Sequence, residues 1–212
     1  MYRYVLFDAA NTLIHKPAIA TRICAVLAGH GVTVDARLVS QRHRLVSELV
    51  TFPDRTGREF YAAFNAELLL ALGVVPTDSL LDELFSACAG LAWEPFADTS
   101  VLTDIELPFG VLSNFNAGLG GLLGELFDVP FAHVITSEAA GLRKPDVRLF
   151  HAAAAAAGVA PAEIVYVGDS PKLDIRPALA AGMGAVLIDR DDQYPGAGDR
   201  IARLTDLVGR LE

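Results

Sequence analysis

Apolar residues along this chain fall into two rhythms. Short runs rich in Val, Ile and Phe recur at Tyr2 to Phe7, Phe109 to Leu112, His133 to Thr136, Ile164 to Val167 and Ala185 to Ile188. Each is short enough to be a buried strand. Between the later runs, apolar positions take helical spacing in Ala117 to Leu126, Val147 to Ala157 and Ile175 to Ala181, and a last helix is predicted over Arg200 to Leu211. Strands alternating with helices predict a parallel sheet covered on both faces.

The interval after the first strand breaks this alternation. From Lys16 to Phe96 no strand-like run occurs, and amphipathic patterns at Ile19 to Ala28, Ala36 to Val50, Glu59 to Leu72 and Ser79 to Leu91 predict helices. Turn residues separate them: Gly29-His30-Gly31, Pro53 to Gly57, and Gly73 to Asp78, with Trp93-Glu94-Pro95 closing the interval. The expected architecture is α/β: a three-layer, Rossmann-like parallel core formed by residues 1–15 and 97–212, with a helical domain inserted over residues 16–96. Gly29 to Gly31 and Trp93 to Pro95 are candidate hinges.

Composition narrows the class. A chain of 212 residues can bury a sizeable core and still carry an insertion. Hydrophobic residues make up 52% and charged residues 20%, with no low-charge apolar run long enough to span a bilayer, so no membrane partner is expected. The alanine run from Ala152 to Ala157 stops at Gly158 and reads as a packed helix. The chain enters its first apolar strand at once, unlike a signal peptide, which makes the cytoplasm the expected compartment. Cys24 and Cys88 lack metal-binding spacing and read as ordinary apolar side chains. A net charge of -9 argues against nucleic acid, which requires a basic stripe to neutralise phosphates.

Candidate chemistry gathers at the strand ends. Phosphoryl transfer through a covalent intermediate needs a rigid carboxylate nucleophile, a cation to offset repulsion between two anions, and donors for the transferring oxygens. Asp8 ends the first strand, and ligands of open parallel sheets bind at the carboxyl ends of strands. Ser113 and Asn114 follow the Phe109 to Leu112 strand, Lys144 supplies a compact positive charge, and Asp169 and Asp174 supply hard oxygen ligands suited to magnesium. Taken singly, each has a plainer reading as a turn or capping residue. Asp174 in particular could cap the helix predicted from Ile175.

The ordered set carries more. Asp8 with Thr12, Ser113-Asn114, Lys144-Pro145, and Gly168-Asp169-Ser170 with Asp174 resemble the four motifs of the haloacid dehalogenase-like hydrolases, over nearly the whole chain. The resemblance implies that Asp8 is the nucleophile, that Ser113 and Lys144 bind the phosphoryl group with Thr12 and Asn114 beside them, and that Asp169 and Asp174 support magnesium. It further implies a small phosphorylated metabolite as substrate and makes the helical insertion similar to the family's cap.

One position departs from the pattern. Phosphatases of this family carry a second Asp two residues after the nucleophile, where this chain has Ala10. That Asp protonates the leaving alkoxide and then activates water, work of about 100- to 10,000-fold per proton transfer. Ala10 can do neither, although its backbone carbonyl can still serve as a magnesium ligand. Three readings follow. The first is a magnesium-dependent phosphatase for leaving groups that need no proton, or one borrowing an acid such as His15, Asp54 or Glu59. The second is a 2-haloacid dehalogenase, since halide leaves unprotonated. That branch, however, has Tyr at the Ala10 and Phe150 positions and lacks the Gly-Asp-Ser pattern, while Arg37, Arg42 and Arg44 could supply its carboxylate-binding arginine. The third is a protein that binds a phosphate ligand without useful turnover. Phosphonoacetaldehyde hydrolases share the Ala but need a cap lysine, and Lys16, Lys144 and Lys172 do not provide one well inside the insertion.

Overall fold

Every residue of the first strand, Tyr4–Phe7, is buried in the computed structural model, which describes residues 1–211. In chain order the strands are β1 (Tyr4–Phe7), β2 (Ile14–His15), β3 (Glu94–Pro95), β4 (Phe109–Ser113), β5 (Val134–Thr136), β6 (Ile164–Gly168), β7 (Gly184–Ile188) and β8 (Arg200–Ile201). Six of them form one sheet in the order β5-β4-β1-β6-β7-β8, and all of its pairings are parallel. The chain builds leftward from β1 through β4 to β5 and then returns to the other side at β6. β1 therefore lies at the switch point of the sheet, where neighbouring connections diverge and leave a crevice at the strand ends. Phe7 is in register with Val111 on one side and Val167 on the other, which brings the ends of β1, β4 and β6 level.

Helices α1 (Ile19–Gly29), α2 (Ala36–Leu49), α3 (Arg58–Ala71) and α4 (Asp78–Cys88) lie between β2 and β3; α5 (Leu119–Leu126), α6 (Ser137–Ala140), α7 (Val147–Ala157) and α8 (Arg176–Ala180) follow among the later strands. Tyr4, Leu6 and Tyr166 of the sheet pack with Leu149, Phe150 and Ala153 of α7 in one buried cluster. Each large apolar side chain so buried contributes about 1.5–3 kcal/mol. The opposite sense of the pleat carries Val5, Phe7, Val111 and Val167, also fully buried, so the strands read as unbroken apolar runs. α7 starts at Asp146, whose carboxylate accepts the Arg148 N–H at 3.0 Å, and ends at Gly158 with φ 69°.

The chain's last segment departs from the predicted helix. Arg200–Ile201 add to the sheet edge beside Leu187 and Ile188, and two short 3-10 turns follow at Leu204–Asp206 and Val208–Arg210. Ile201, Leu204 and Leu207 are the buried positions, and their spacing of three fits the tighter 3-10 turn better than the α-helix. Edge pairing also gains ion pairs from Arg200 to Asp189 and Asp192. Smaller shifts have local causes: α4 stops at Cys88 because Gly90 takes φ 71°, and the predicted Ile175 helix is preceded by a π-turn over Pro171–Ile175.

Two compact units result, Met1–His15 with Glu94–Glu212, and Lys16–Trp93. Within the first, β2 and β3 pair antiparallel through Ile14↔Pro95 and His15↔Glu94. The second holds α1 to α4 around Ile23, Leu27, Val39, Phe64, Leu68 and Leu84. Asp35 caps α2 by accepting the Arg37 and Leu38 N–H groups, and Thr77 caps α4. Gly29 to Gly31 form the turn between α1 and α2, inside this unit. Arg37, Arg42 and Arg44 lie on α2, and Glu59 in the first turn of α3. No described helix is long and apolar enough to cross a membrane.

His43 on α2 meets the ring of Phe64 edge-on at 4.9 Å, and burial pushes its pKa down from 6.5 to about 4. Between those values the unfolded chain binds a proton that folded His43 refuses, so stability falls as pH drops through that window. Substituting His43→Gln should flatten the fall by up to about 1.4 kcal/mol per pH unit, read from denaturant melts of both proteins between pH 7 and pH 4.

Candidate active site

Asp8 follows β1 directly, and its N–H continues the ladder by donating to the Val167 carbonyl at 2.9 Å. Its carboxylate, 5% exposed, accepts on Oδ1 from the Ser113 hydroxyl at 3.0 Å and the Lys144 ammonium at 2.7 Å. Ser113 closes β4, so the hydroxyl reaches Asp8 from the adjacent strand. Lys144 donates in addition to Asp174 Oδ1 at 2.5 Å and to the Tyr166 hydroxyl at 3.1 Å. The lysine's main chain is gripped as well: its N–H donates to Asn114 Oδ1 at 2.8 Å, and Asn114 Nδ2 donates to its carbonyl at 2.9 Å. Asn114 thus uses both ends of its amide to hold Lys144 in place. The Lys144-Pro145 peptide bond is cis.

Asp174 reaches the cluster from the π-turn. Ser170, not Asp174, supplies the cap, its hydroxyl accepting the Leu173 N–H at 2.8 Å. The extra residue of a π-turn, a feature common at functional sites, leaves the Asp174 side chain facing the sheet end. There Oδ2 accepts the Ser170 N–H at 3.0 Å, and Oδ1 lies 3.0 Å from the Tyr166 hydroxyl. Close approach requires Gly168, because a Cβ on that residue would sit 2.4 Å from the Asp174 carboxyl carbon.

Tyr166 escaped the sequence reading. Its hydroxyl accepts from Lys144 and has one proton to give, with the Leu112 carbonyl and Asp174 each 3.0 Å away. The signal was a tyrosine inside an otherwise aliphatic buried strand, since a buried hydroxyl needs a partner. Burial raises the Tyr166 pKa well above the ordinary phenol value, with Asp174 and Asp8 adding to it. Burial likewise raises Asp8, against the Lys144 charge, and Asp174 pushes it the same way. Burial alone would lower Lys144, but Asp174 and Asp8 outweigh it and hold the ammonium above the ordinary lysine range.

Carboxylate oxygens of Asp8, Asp169 and Asp174 lie within 4.8 Å of one another. These three carboxylates outnumber the one ammonium that pairs with Asp8 and Asp174, and an all-oxygen set of this kind suits a hard divalent cation such as magnesium.

The turn after β1 holds the remaining sequence candidates. Asn11 takes φ 63°, and the Ala9 carbonyl accepts from the N–H groups of Thr12, Leu13 and Ile14. Ala10 bridges to Ile14, while Thr12 is fully buried with a hydroxyl that has no hydrogen-bond partner. His15 stacks on Phe96 at 3.9 Å; burial and the nearby Arg190 charge hold its pKa below the ordinary histidine value, so it is neutral at neutral pH. Phe150, buried, packs 5.1 Å from Tyr166.

A buried carboxylate held by Ser and Lys thus stands beside an acidic pair at the switch point of a parallel sheet. The haloacid dehalogenase-like hydrolase family model matches residues 2–182, and the chain belongs to that family. Among relatives, haloacid dehalogenase-like hydrolase domain-containing protein 3 of Mus musculus is 41% identical, over 88% of this chain and 81% of that protein. Glyceraldehyde 3-phosphate phosphatase of Methanothermobacter thermautotrophicus is 27% identical, over 90% of this chain and 87% of its own. A defluorinating L-2-haloacid dehalogenase of known structure shares the fold with TM-score 0.62 and 24% identity, over 99% of this chain and 95% of that one.

Gly168 offers a direct check on the packing behind Asp174. Adding a methyl there forces the carboxylate to move. Gly168→Ala should destabilise the protein by about 1–3 kcal/mol, measured by urea denaturation, even though the residue lies in a strand where alanine is otherwise tolerated.

Proposed function

We propose that this hydrolase removes phosphate from a small phosphorylated metabolite in a magnesium-dependent reaction with Asp8 as nucleophile. The observation that carries this reading is the convergence of Asp8, Asp169 and Asp174 around the Lys144 charge. Displacement of halide needs no cation, so a third carboxylate at that place suits phosphoryl chemistry better. The relative named as a glyceraldehyde 3-phosphate phosphatase supports the same substrate class.

An Asp8 oxygen attacks phosphorus, the bond from phosphorus to the leaving oxygen breaks, and that oxygen departs with its electron pair. Water then attacks the phosphorus of the resulting aspartyl phosphate; the bond to Asp8 breaks, and phosphate leaves with the carboxylate restored. Ser113 and Lys144, already aimed at Asp8, are placed to hold phosphoryl oxygens. Thr12 brings a buried hydroxyl in search of an acceptor. Asn114 keeps Lys144 oriented. Magnesium held by Asp8, the Ala10 carbonyl and Asp169, with Asp174 in support, would supply the positive charge that lets one anion approach another. The helical insert, in the chain position of the family's cap, is the part assigned to substrate choice.

Ala10 limits the leaving groups. Aryl and acyl phosphates depart without a proton; alkyl phosphates should react about 100- to 10,000-fold more slowly. A panel of aryl, acyl and alkyl phosphates and 2-haloacids, with magnesium and with chelator, tests this. Aryl and acyl phosphatase activity lost on chelation, and abolished by Asp8→Asn, is the expected result. Metal-independent halide release would overturn the reading, and tight phosphate binding without turnover would point to a binding protein. Restoring the acid by Ala10→Asp should raise alkyl phosphatase activity at least about tenfold; no gain in a folded variant counts against the missing-acid argument.

A further inference from the structure

We propose that Arg190 is a positioning residue for the metal side of this site, fixing the turn from which the Ala10 carbonyl would ligate magnesium. The inference rests on the magnesium reading above. Arg190 stands two residues beyond β7, yet its guanidinium spans to the turn after β1. Nη1 donates to the Asn11 carbonyl at 3.0 Å, and Nη2 donates to the Thr12 carbonyl at 3.0 Å. These are the next two carbonyls along the chain from Ala10, so their orientation constrains the peptide that bears the proposed ligand.

The clamp is itself anchored from two sides. Nη2 donates to Asp98 at 2.9 Å and 3.1 Å, and Asp98 Oδ2 also accepts the Leu204 N–H at 2.9 Å. The guanidinium carbon lies 3.8 Å above the Phe96 ring, which stacks in turn on His15. The Phe96 N–H donates to the Leu13 carbonyl at 3.0 Å, so carbonyls 11, 12 and 13 are all tied to one assembly. A planar fork that satisfies two carbonyls and a carboxylate while lying flat on a ring is work for arginine and not for lysine.

Such fastening matters for magnesium, which demands near-octahedral ligands at about 2.0–2.1 Å and tolerates little drift. A non-glycine residue at positive φ, here Asn11, keeps its place only while its surroundings hold it. Loosening Arg190 should therefore act on cation affinity before it acts on the chemical step.

Calorimetric titration of the metal-free full-length chain with magnesium chloride, on wild type, Arg190→Lys, Arg190→Gln and Asp98→Asn, tests the inference. Arg190→Gln should weaken magnesium binding by about 10- to 100-fold, in the range for residues that support metal ligands. Arg190→Lys and Asp98→Asn should weaken it less. With para-nitrophenyl phosphate as probe, half-saturating magnesium should rise while kcat at saturating magnesium stays near wild type. Unchanged affinity in folded Arg190→Gln overturns the proposal, as does a kcat loss that magnesium does not rescue. If Arg190→Gln fails to fold, unchanged affinity in the other two variants overturns it equally. Wild-type binding that Asp169→Asn abolishes, with the arginine variants normal, sinks this inference alone; a wild type that binds no magnesium sinks the proposed function with it.

Discussion

The carboxyl end of the sheet depends on one ammonium group, that of Lys144, lying 2.7 Å from Asp8 and 2.5 Å from Asp174. All three groups are almost fully buried, where an unpaired charge costs several kcal/mol and one of them would otherwise lose its charge. The pairing offsets part of the cost of burying the Asp8 carboxylate in a place from which water is largely excluded. It does so incompletely: burial still raises Asp8, and Asp169 adds a further negative group nearby. Carboxylates therefore outnumber the ammonium that pairs with two of them.

Holding those charges together falls to uncharged neighbours. Asn114 fixes the Lys144 backbone, Tyr166 gives its ammonium a third acceptor, Ser170 turns the chain so that Asp174 faces inward, and Gly168 leaves room for it. Asn114 follows β4, while Tyr166, Gly168 and Ser170 lie in or just after β6, and the level register of β1, β4 and β6 brings them within reach of Asp8. Fold and site are therefore one problem. A slip of the β1–β6 register by one residue would turn Asp8 to the opposite face and break every bond it makes.

Much of this was legible from the sequence because it rests on local pattern. Five apolar runs marked the main strands; Asp8, Ser113 and Asp169 stood just beyond three of them, with Asp174 a little further on and Lys144 in the loop before α7. What escaped notice rests on distance along the chain. Arg190 meets Asn11 across 179 positions, and nothing near Arg190 announces that partner. Tyr166 reads as a plain strand residue among aliphatic neighbours, and the partners of its hydroxyl, Lys144 and Asp174, come from other parts of the chain. The terminal segment differs for another reason: apolar residues spaced by three suit 3-10 turns and are close enough to helical spacing to be read as an α-helix, and sheet-edge pairing at Arg200 decides the outcome.

In the proposed reaction the methyl group of Ala10 matters as much as any charged residue. His15, the nearest titratable residue along the chain on that side, is neutral at neutral pH, being stacked on Phe96 beside the Arg190 charge, and so is ill suited to donate a proton to a departing alkoxide. The same guanidinium that holds the turn also disfavours a cationic imidazole next to it. An arrangement that fastens the main chain after Asp8 thus works against recruiting His15 as a substitute acid. On the proposed phosphatase reading the burden of leaving-group stability shifts to the substrate, and a phosphate whose leaving oxygen is already a weak base suits this geometry best.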